Sequence, residues 1–257
     1  MIYFTGDTHG GIDMKKFTTK NLRLNHIELT EHDYIIILGD FGFPFLPSDI
    51  VKNSPTNGEY RFWCNFIQKL PCMVCFIDGN HDNHDFWKNQ IAQKWHGGKI
   101  HKHPDINNCI HLMRGEIYEI ENHSIFAFGG AASTDVKPQY DEYGNCIWKG
   151  RKEGRNWWRS EVASEDEIIN AFNNLSRLSH NIDCIVTHTP PQSIVREIID
   201  RPDLITDKTA MFLDTVMSQN TYKTWVTGHL HKEWSRSDIR MTGIYNNIKS
   251  YDELIDY

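Results

Sequence analysis

No stretch of the 257-residue chain approaches 18 consecutive apolar residues, so no segment is expected to span a bilayer as a helix. The opening Met-Ile-Tyr-Phe-Thr-Gly-Asp has no basic n-region and no long apolar run, which argues against a secretory signal. Basic charge is also scarce. Lys and Arg number 27 against 34 Asp and Glu, a net charge of -7. Proteins that grip nucleic acid through many phosphates present a basic face, so no broad nucleic-acid surface is expected. Paired metal-binding cysteines are lacking too. Of the six cysteines only Cys72 and Cys75 form a C-x-x-C, and there is no second such pair. Their run, Cys72 to Ile77, reads as a buried strand, so these thiols are expected as small core residues rather than zinc ligands. Free thiols point to a reducing compartment, and the cytoplasm is the expected location. No internal repeat, low-complexity tract or linker interrupts the chain, so one domain over residues 1–257 is expected.

Three apolar blocks organise the first half. Ile2 to Thr5 ends at Gly6-Asp7, Tyr34 to Leu38 ends at Gly39-Asp40, and Cys72 to Ile77 ends at Asp78-Gly79-Asn80-His81-Asp82. Continuous apolar blocks suit strands covered on both faces. The second half repeats the pattern. Ile110 to Met113, Ile117 to Ile120 and Ser124 to Phe128 read as successive strands. Ile182 to Thr187 then leads into His188, and Lys223 to Thr227 into Gly228-His229-Leu230-His231. The stretch from Ile239 to Ile248 adds a further candidate strand. Helices are predicted over Glu59 to Leu70, over Asp85 to Lys94, over Ser164 to Leu178 behind a Ser-Glu-Asp-Glu capping box, and over Ala210 to Met217. Residues 131–160 read as a long functional loop or small insertion.

In open α/β sheets ligands gather at the carboxyl ends of strands. Five such ends supply Asp7 and His9, Asp40, Asn80, His188, and His229 with His231. Singly, each is an ordinary turn or surface residue. Together they mix carboxylate, imidazole and amide, a set that suits Mn²⁺ first, or Fe or Zn²⁺, rather than oxygen-preferring Ca²⁺. Asp7-x-His9 and His229-x-His231 each place two side chains on one side of an extended strand end. Asp40, between those pairs, is a candidate bridge for two divalent ions that would clamp a phosphoryl group and lower the pKa of an attacking water. In the long loop, Arg155, Trp157 and Trp158 are candidate substrate contacts, since Arg forks match phosphate oxygens and Trp stacks on a base or sugar. The competing reading has the two tryptophans anchor the loop while the arginines face solvent. His101 and His103 are expected at the surface, and His84 at a helix start.

Gly6-Asp7-Thr8-His9-Gly10, Gly39-Asp40, Gly79-Asn80-His81-Asp82, Thr187-His188 and Gly228-His229-Leu230-His231 resemble the ordered motifs of the calcineurin-like metallophosphoesterases. One such motif arises by chance; five in order, from residue 6 to 231, do not. The resemblance implies an α/β fold, a four-layer α/β/β/α sandwich with two mixed sheets. It implies that Asp7, His9, Asp40 and His231 hold one metal ion, that Asp40 bridges, and that Asn80, His188 and His229 complete the second. His81 would bind no metal and would protonate the leaving group or stabilise its charge. The implied reaction is hydrolysis of a phosphate mono- or diester by a metal-activated water, on a phosphorylated small molecule or nucleotide.

One departure bears on substrate. The phosphoprotein phosphatases carry a second Asp three residues after the bridging Asp, where this chain has Phe43, and follow Gly-Asn-His with Glu, where it has Asp82. A phosphodiesterase or small-molecule phosphatase is therefore expected ahead of a protein phosphatase, with Asp82 the nearest candidate to orient His81. Two other readings compete. A nuclease acting on DNA or RNA is opposed by the acidic balance. A non-catalytic interaction module on the same fold is opposed by the complete ligand set.

Overall fold

A computed structural model describes residues 1–45, 56–199 and 207–256, with the side chains of residues 56 and 57 left aside. In chain order its strands are β1 (Ile2–Thr5), β2 (Tyr34–Ile37), β3 (Met73–Phe76), β4 (Ala92–Trp95), β5 (Gly98–Lys102), β6 (Cys109–Leu112), β7 (Glu116–Ile120), β8 (His123–Phe128), β9 (Gln139–Tyr140), β10 (Cys146–Trp148), β11 (Asn181–Thr187), β12 (Thr221–Thr227), β13 (Trp234–Arg236), β14 (Met241–Gly243) and β15 (Ile248–Ser250). The α-helices among the described residues are α1 (Thr19–Leu24), α2 (Thr56–Gln68), α3 (His84–Lys88), α4 (Glu165–Arg177), α5 (Gln192–Ile199), α6 (Lys208–Gln219) and α7 (Tyr251–Ile255).

Two mixed sheets result. One runs β15-β1-β2-β3-β6-β5-β4, with β1, β2, β3 and β6 parallel and the others antiparallel. The second runs β13-β14-β12-β11-β8-β7, with β14, β12, β11 and β8 parallel. Side chains alternate along each strand, so one strand feeds two layers. Ile36 of β2 packs inward with Phe4, Cys75, Tyr118, Ile125, Val186 and Val226, which fill the space between the sheets. Its neighbours Ile35 and Ile37 point outward with Val74 and Phe76, against Cys64 and Ile67 of α2. On the other flank Phe126, Ile185 and Trp225 meet Ala171 and Leu175 of α4 and Leu213 and Val216 of α6. Helix, sheet, sheet, helix is the four-layer order that the motifs implied. The apolar strand blocks are explained by it, because both faces of each central strand are covered.

The helix over Ser164 to Leu178 starts as predicted. Ser164 caps it and Glu167 returns the bond, so two orphan N–H groups are satisfied. Ile169 lies on the exposed side of this helix. The helix predicted over Asp85 to Lys94 forms only at its start. Only α3 is helical, and Ala92 to Trp95 pair antiparallel with β5. His96 and Gly97, both at positive φ (46° and 93°), form the two-residue turn between them. That tight turn and the partner strand outweigh a modest helical pattern. His101 and His103, expected in solvent, are buried instead. β5 lies between β4 and β6, and the ring of His101 stacks over His111 while His103 Nε2 bonds the Phe43 carbonyl. The buried Cys72 and Cys75 sit in the core, as their apolar run predicts.

Candidate active site

The carboxyl ends of β1, β2 and β3 share one edge because these strands are parallel, and those of β11 and β12 share the matching edge of the other sheet. The two edges meet. Nδ1–H of His188, just past β11, donates to the Leu38 carbonyl at 2.7 Å, and the N–H of His229 donates to Asp7 Oδ1 at 3.1 Å. Sequence positions 7 and 229 thus become neighbours.

Asp7, His9, Asp40 and His231 present one donor atom each, all within 4.8 Å of one another. His231 Nε2 lies 2.9 Å and His9 Nε2 3.8 Å from Asp7 Oδ2. Asp40 turns Oδ2 toward His9 Nε2 at 3.3 Å and Oδ1 toward His188 Nε2 at 3.4 Å. His188 Nε2 also lies 3.1 Å from Asn80 Oδ1, and its ring stands 4.8 Å from that of His229. All seven candidate ligands are therefore brought together. His81 adjoins them, its backbone N–H on Asp40 Oδ1 at 2.7 Å and its ring 5.8 Å from that of His9.

The surroundings aim these donors. His188 directs Nδ1–H to Leu38, and His9 directs Nδ1–H to Asp13 at 2.8 Å, so each ring turns its free Nε2 inward. Four candidate ligands, His9, Asp40, His229 and His231, hold a left-handed backbone at φ 44°, 47°, 66° and 49°. That conformation is unfavourable for non-glycine residues, and such strain gathers at functional sites. Two motif glycines answer to space. A Cβ on Gly39 would strike the His188 ring, and one on Gly79 would strike the Asp40 carboxylate.

Electrostatics fit a cation. Asp7 and Asp40 are buried, and among the described residues neither forms a salt bridge with Lys or Arg. Buried carboxylates are stable only when paired or coordinating. Burial opposes charging Asp40, but His188 and His9 overcome it and hold the carboxyl below its ordinary range. Burial likewise opposes protonation of His9, yet the Asp40 hydrogen bond and the Asp40 and Asp7 charges lift it to about 9. Burial and the neighbouring His188 drive His229 down to about 3, which leaves it neutral and ready to ligate. Two carboxylates, four imidazoles and an amide, with no Lys or Arg bonded to the carboxylates among the described residues, is a donor set that suits a divalent transition ion, which would displace the proton that Asp40 draws onto His9.

Asp82 does not face His81. Its carboxylate accepts the backbone N–H groups of Gly42 at 2.7 Å, Gly79 at 2.8 Å and Phe41 at 3.2 Å, and so ties the β2 turn to the β3 turn. Burial, the largest influence, with nearby Asp40 pushes it up to about 7. Lys16, which no motif marks, donates to the carbonyls of Gly6, Asp7 and Tyr245 and pins the Asp7 turn; burial lowers it to about 8. In the 131–160 loop, Trp158 is buried with its indole N–H on Asp85 at 2.9 Å, Trp157 donates to Glu161 at 2.9 Å, and Arg155 is exposed. The loop arginine that reaches the site is Arg151, 3.2 Å from His81. Apart from its place in an Arg-rich loop, nothing in its local sequence singles it out.

The family model for calcineurin-like phosphoesterases matches residues 1–233, and the chain belongs to that family. It is accordingly a metal-dependent phosphoesterase. Among curated proteins none matches. One solved structure aligns over 95% of this chain and 88% of its own, at 8% identity and TM-score 0.46. Another, a Staphylococcus aureus protein provisionally named a 5'-nucleotidase and held in complex with alpha-ketoglutarate, aligns over 95% of this chain and 48% of its own, at 12% identity and TM-score 0.44. The chain spans about half the length of that protein. At these scores neither likeness carries weight on fold or substrate.

Proposed function

We propose that this protein hydrolyses a phosphate mono- or diester of a small molecule or nucleotide with two divalent ions, Mn²⁺ first, and that residues 1–257 form one domain with 131–160 as an insertion. The observation that carries the two-ion reading is Asp40, whose two oxygens face two different histidines, His9 and His188, at 3.3 and 3.4 Å. Asp7, His9, Asp40 and His231 would hold one ion, and Asn80, His188, His229 and the other oxygen of Asp40 the second. When bound, such ions supply Lewis-acid charge and lower the pKa of the attacking water. The chain's own residues do the rest. Asp13 and the Leu38 carbonyl keep the imidazoles in one tautomer. Asp82 holds the two turns in register. His81, outside the ligand set, donates to the departing oxygen. Phe43 is buried, so no carboxylate stands where the protein-phosphatase pattern has one, which favours a phosphodiesterase or small-molecule phosphatase.

The test is metal content after reconstitution with Mn²⁺, together with hydrolysis of an aryl phosphate monoester and a diester. Two ions per chain and chelator-sensitive turnover are expected. Diester turnover directs the search to cyclic nucleotides and nucleic-acid ends, and monoester turnover alone to small phosphorylated metabolites. A single ion at full activity would end the two-ion reading.

A further inference from the structure

His81 needs a partner that holds its ring, and neither Phe43 nor Asp82 supplies one. The 131–160 insertion does. Arg151, just beyond β10, reaches back so that Nη1 lies 3.2 Å from His81 Nδ1 and Nη2 3.5 Å from Nε2. The guanidinium is itself held. Asp135 accepts from its Nε at 2.5 Å and its Nη2 at 2.8 Å, and the Asn156 carbonyl accepts from Nη1 at 3.2 Å. Backbone ties stiffen the clamp: Arg151 N–H donates to Val136 at 2.9 Å, and the Trp148 indole donates to the Asp135 carbonyl at 2.7 Å. Opposite the clamp, Asp40 holds the His81 backbone N–H.

We propose that Arg151, aligned by Asp135, is the positioning residue for His81 and fixes both its ring orientation and its tautomer. A guanidinium has five donors and no acceptor. The ring nitrogen nearest to it must therefore accept, so Nδ1 is the bare nitrogen and Nε2 keeps the ring proton. The 3.5 Å contact to Nε2 is at the edge of hydrogen-bonding range and does not compete with the 3.2 Å one. Nε2–H then remains as a hydrogen-bond donor that stabilises the charge on the leaving oxygen; the neutral ring keeps its proton, and solvent supplies the one that the departing oxygen finally takes. The fork of Asp135 gives the guanidinium one plane, which a lysine could not copy. The inference rests on the reading of His81 as the leaving-group residue. It also gives the insertion a role, since the family motifs alone would leave His81 unsupported.

A double-mutant cycle between Arg151→Met and His81→Asn tests this, with alkyl phosphates (poor leaving groups) and 4-nitrophenyl phosphates (good ones) as probes. In the wild-type background Arg151→Met should lower kcat about ten- to hundredfold on alkyl substrates, less on 4-nitrophenyl substrates, with KM within about threefold. In the His81→Asn background it should cost under about twofold. Equal losses in both backgrounds would mean Arg151 acts independently of His81 and would overturn the proposal. Arg151→Lys and Asp135→Asn, gentler changes, should show the same leaving-group dependence if Arg151→Met folds poorly. A readout free of turnover is the long-range ¹H–¹⁵N spectrum of His81 in chelator-treated full-length protein. It should show a bare Nδ1 and a protonated Nε2, becoming a tautomer mixture in Arg151→Met. A protonated Nδ1 in the wild type would refute the assignment. If no phosphate ester were turned over, the reading of His81 would fall, while the spectrum would still decide the Arg151 contact.

Discussion

Asp13 accepts the Nδ1 proton of His9 at 2.8 Å and so turns Nε2 of that ring toward Asp40. No motif marks Asp13; it lies four residues on, past a short 3₁₀ turn at His9–Gly11. Partners of this kind set ligand orientation and basicity. We expect Asp13→Asn to weaken metal binding roughly ten- to a hundredfold with the fold intact. Metal titration followed by calorimetry checks this, and unchanged affinity would dismiss the role.

Asp40 is the shared carboxylate. Asp40→Asn retains the shape, loses the charge and puts an amide N–H into the ligand cavity. Turnover should fall roughly a hundredfold or more, and bound metal should drop below two per chain. Elemental analysis of the purified variant beside its rate measures both. Wild-type turnover in this variant would defeat the bridging role.

Asp82 holds three buried N–H groups from two turns. Asp82→Ala strands all three, at a cost of about 3 kcal/mol in stability. Asp82→Asn keeps an acceptor and should cost less. Thermal melts of the chelated variants rank the two, and the opposite order would contradict the assignment.

Glu161 gives a pH signature one hydrogen-bonded residue removed from the candidate ligands, since Ser133, which it holds, accepts from Asn80 Nδ2 at 3.2 Å. It is buried, accepts from Ser133 N–H and Oγ–H and from the Trp157 indole, and burial is the main cause that raises it from 4.5 to about 7. The folded state therefore binds the extra proton between those values. Its stabilising effect is full below about 4.5 and is lost as pH rises through about 7. Melting temperature of chelated protein should fall by several degrees from pH 5 to pH 8 on this account. Glu161→Gln, which cannot ionise, should flatten that part of the profile. A variant curve parallel to the wild type would show that Glu161 is not the titrating group.

Much of this was legible in the chain. The apolar blocks marked the central strands because strands covered on both faces must be apolar at every position. The seven candidate ligands followed, because each stands directly after such a block, where a sheet leaves its side chains free. Ser164 and Glu167 announced their helix because a capping box is a local bond between residues three apart. Local causes leave local traces.

What the chain hid was mostly non-local. Ala92 to Trp95 is the nearby exception, a strand closed onto β5 by a two-residue turn, whereas His101 and His103 were buried by packing that includes His111 and Phe43. Asp82, one residue from His81, turned to the backbone of residues 41 and 42 instead. Arg151 meets His81 across 70 positions of sequence, and only the folding of the 131–160 insertion onto the strand ends brings the two together. The sequence by itself determined which atoms stand at the strand ends, because residue order and strand period settle that. Only the tertiary structure decided which of their neighbours aim them, because a hydrogen bond between distant segments depends on where the sheets, loops and insertion pack.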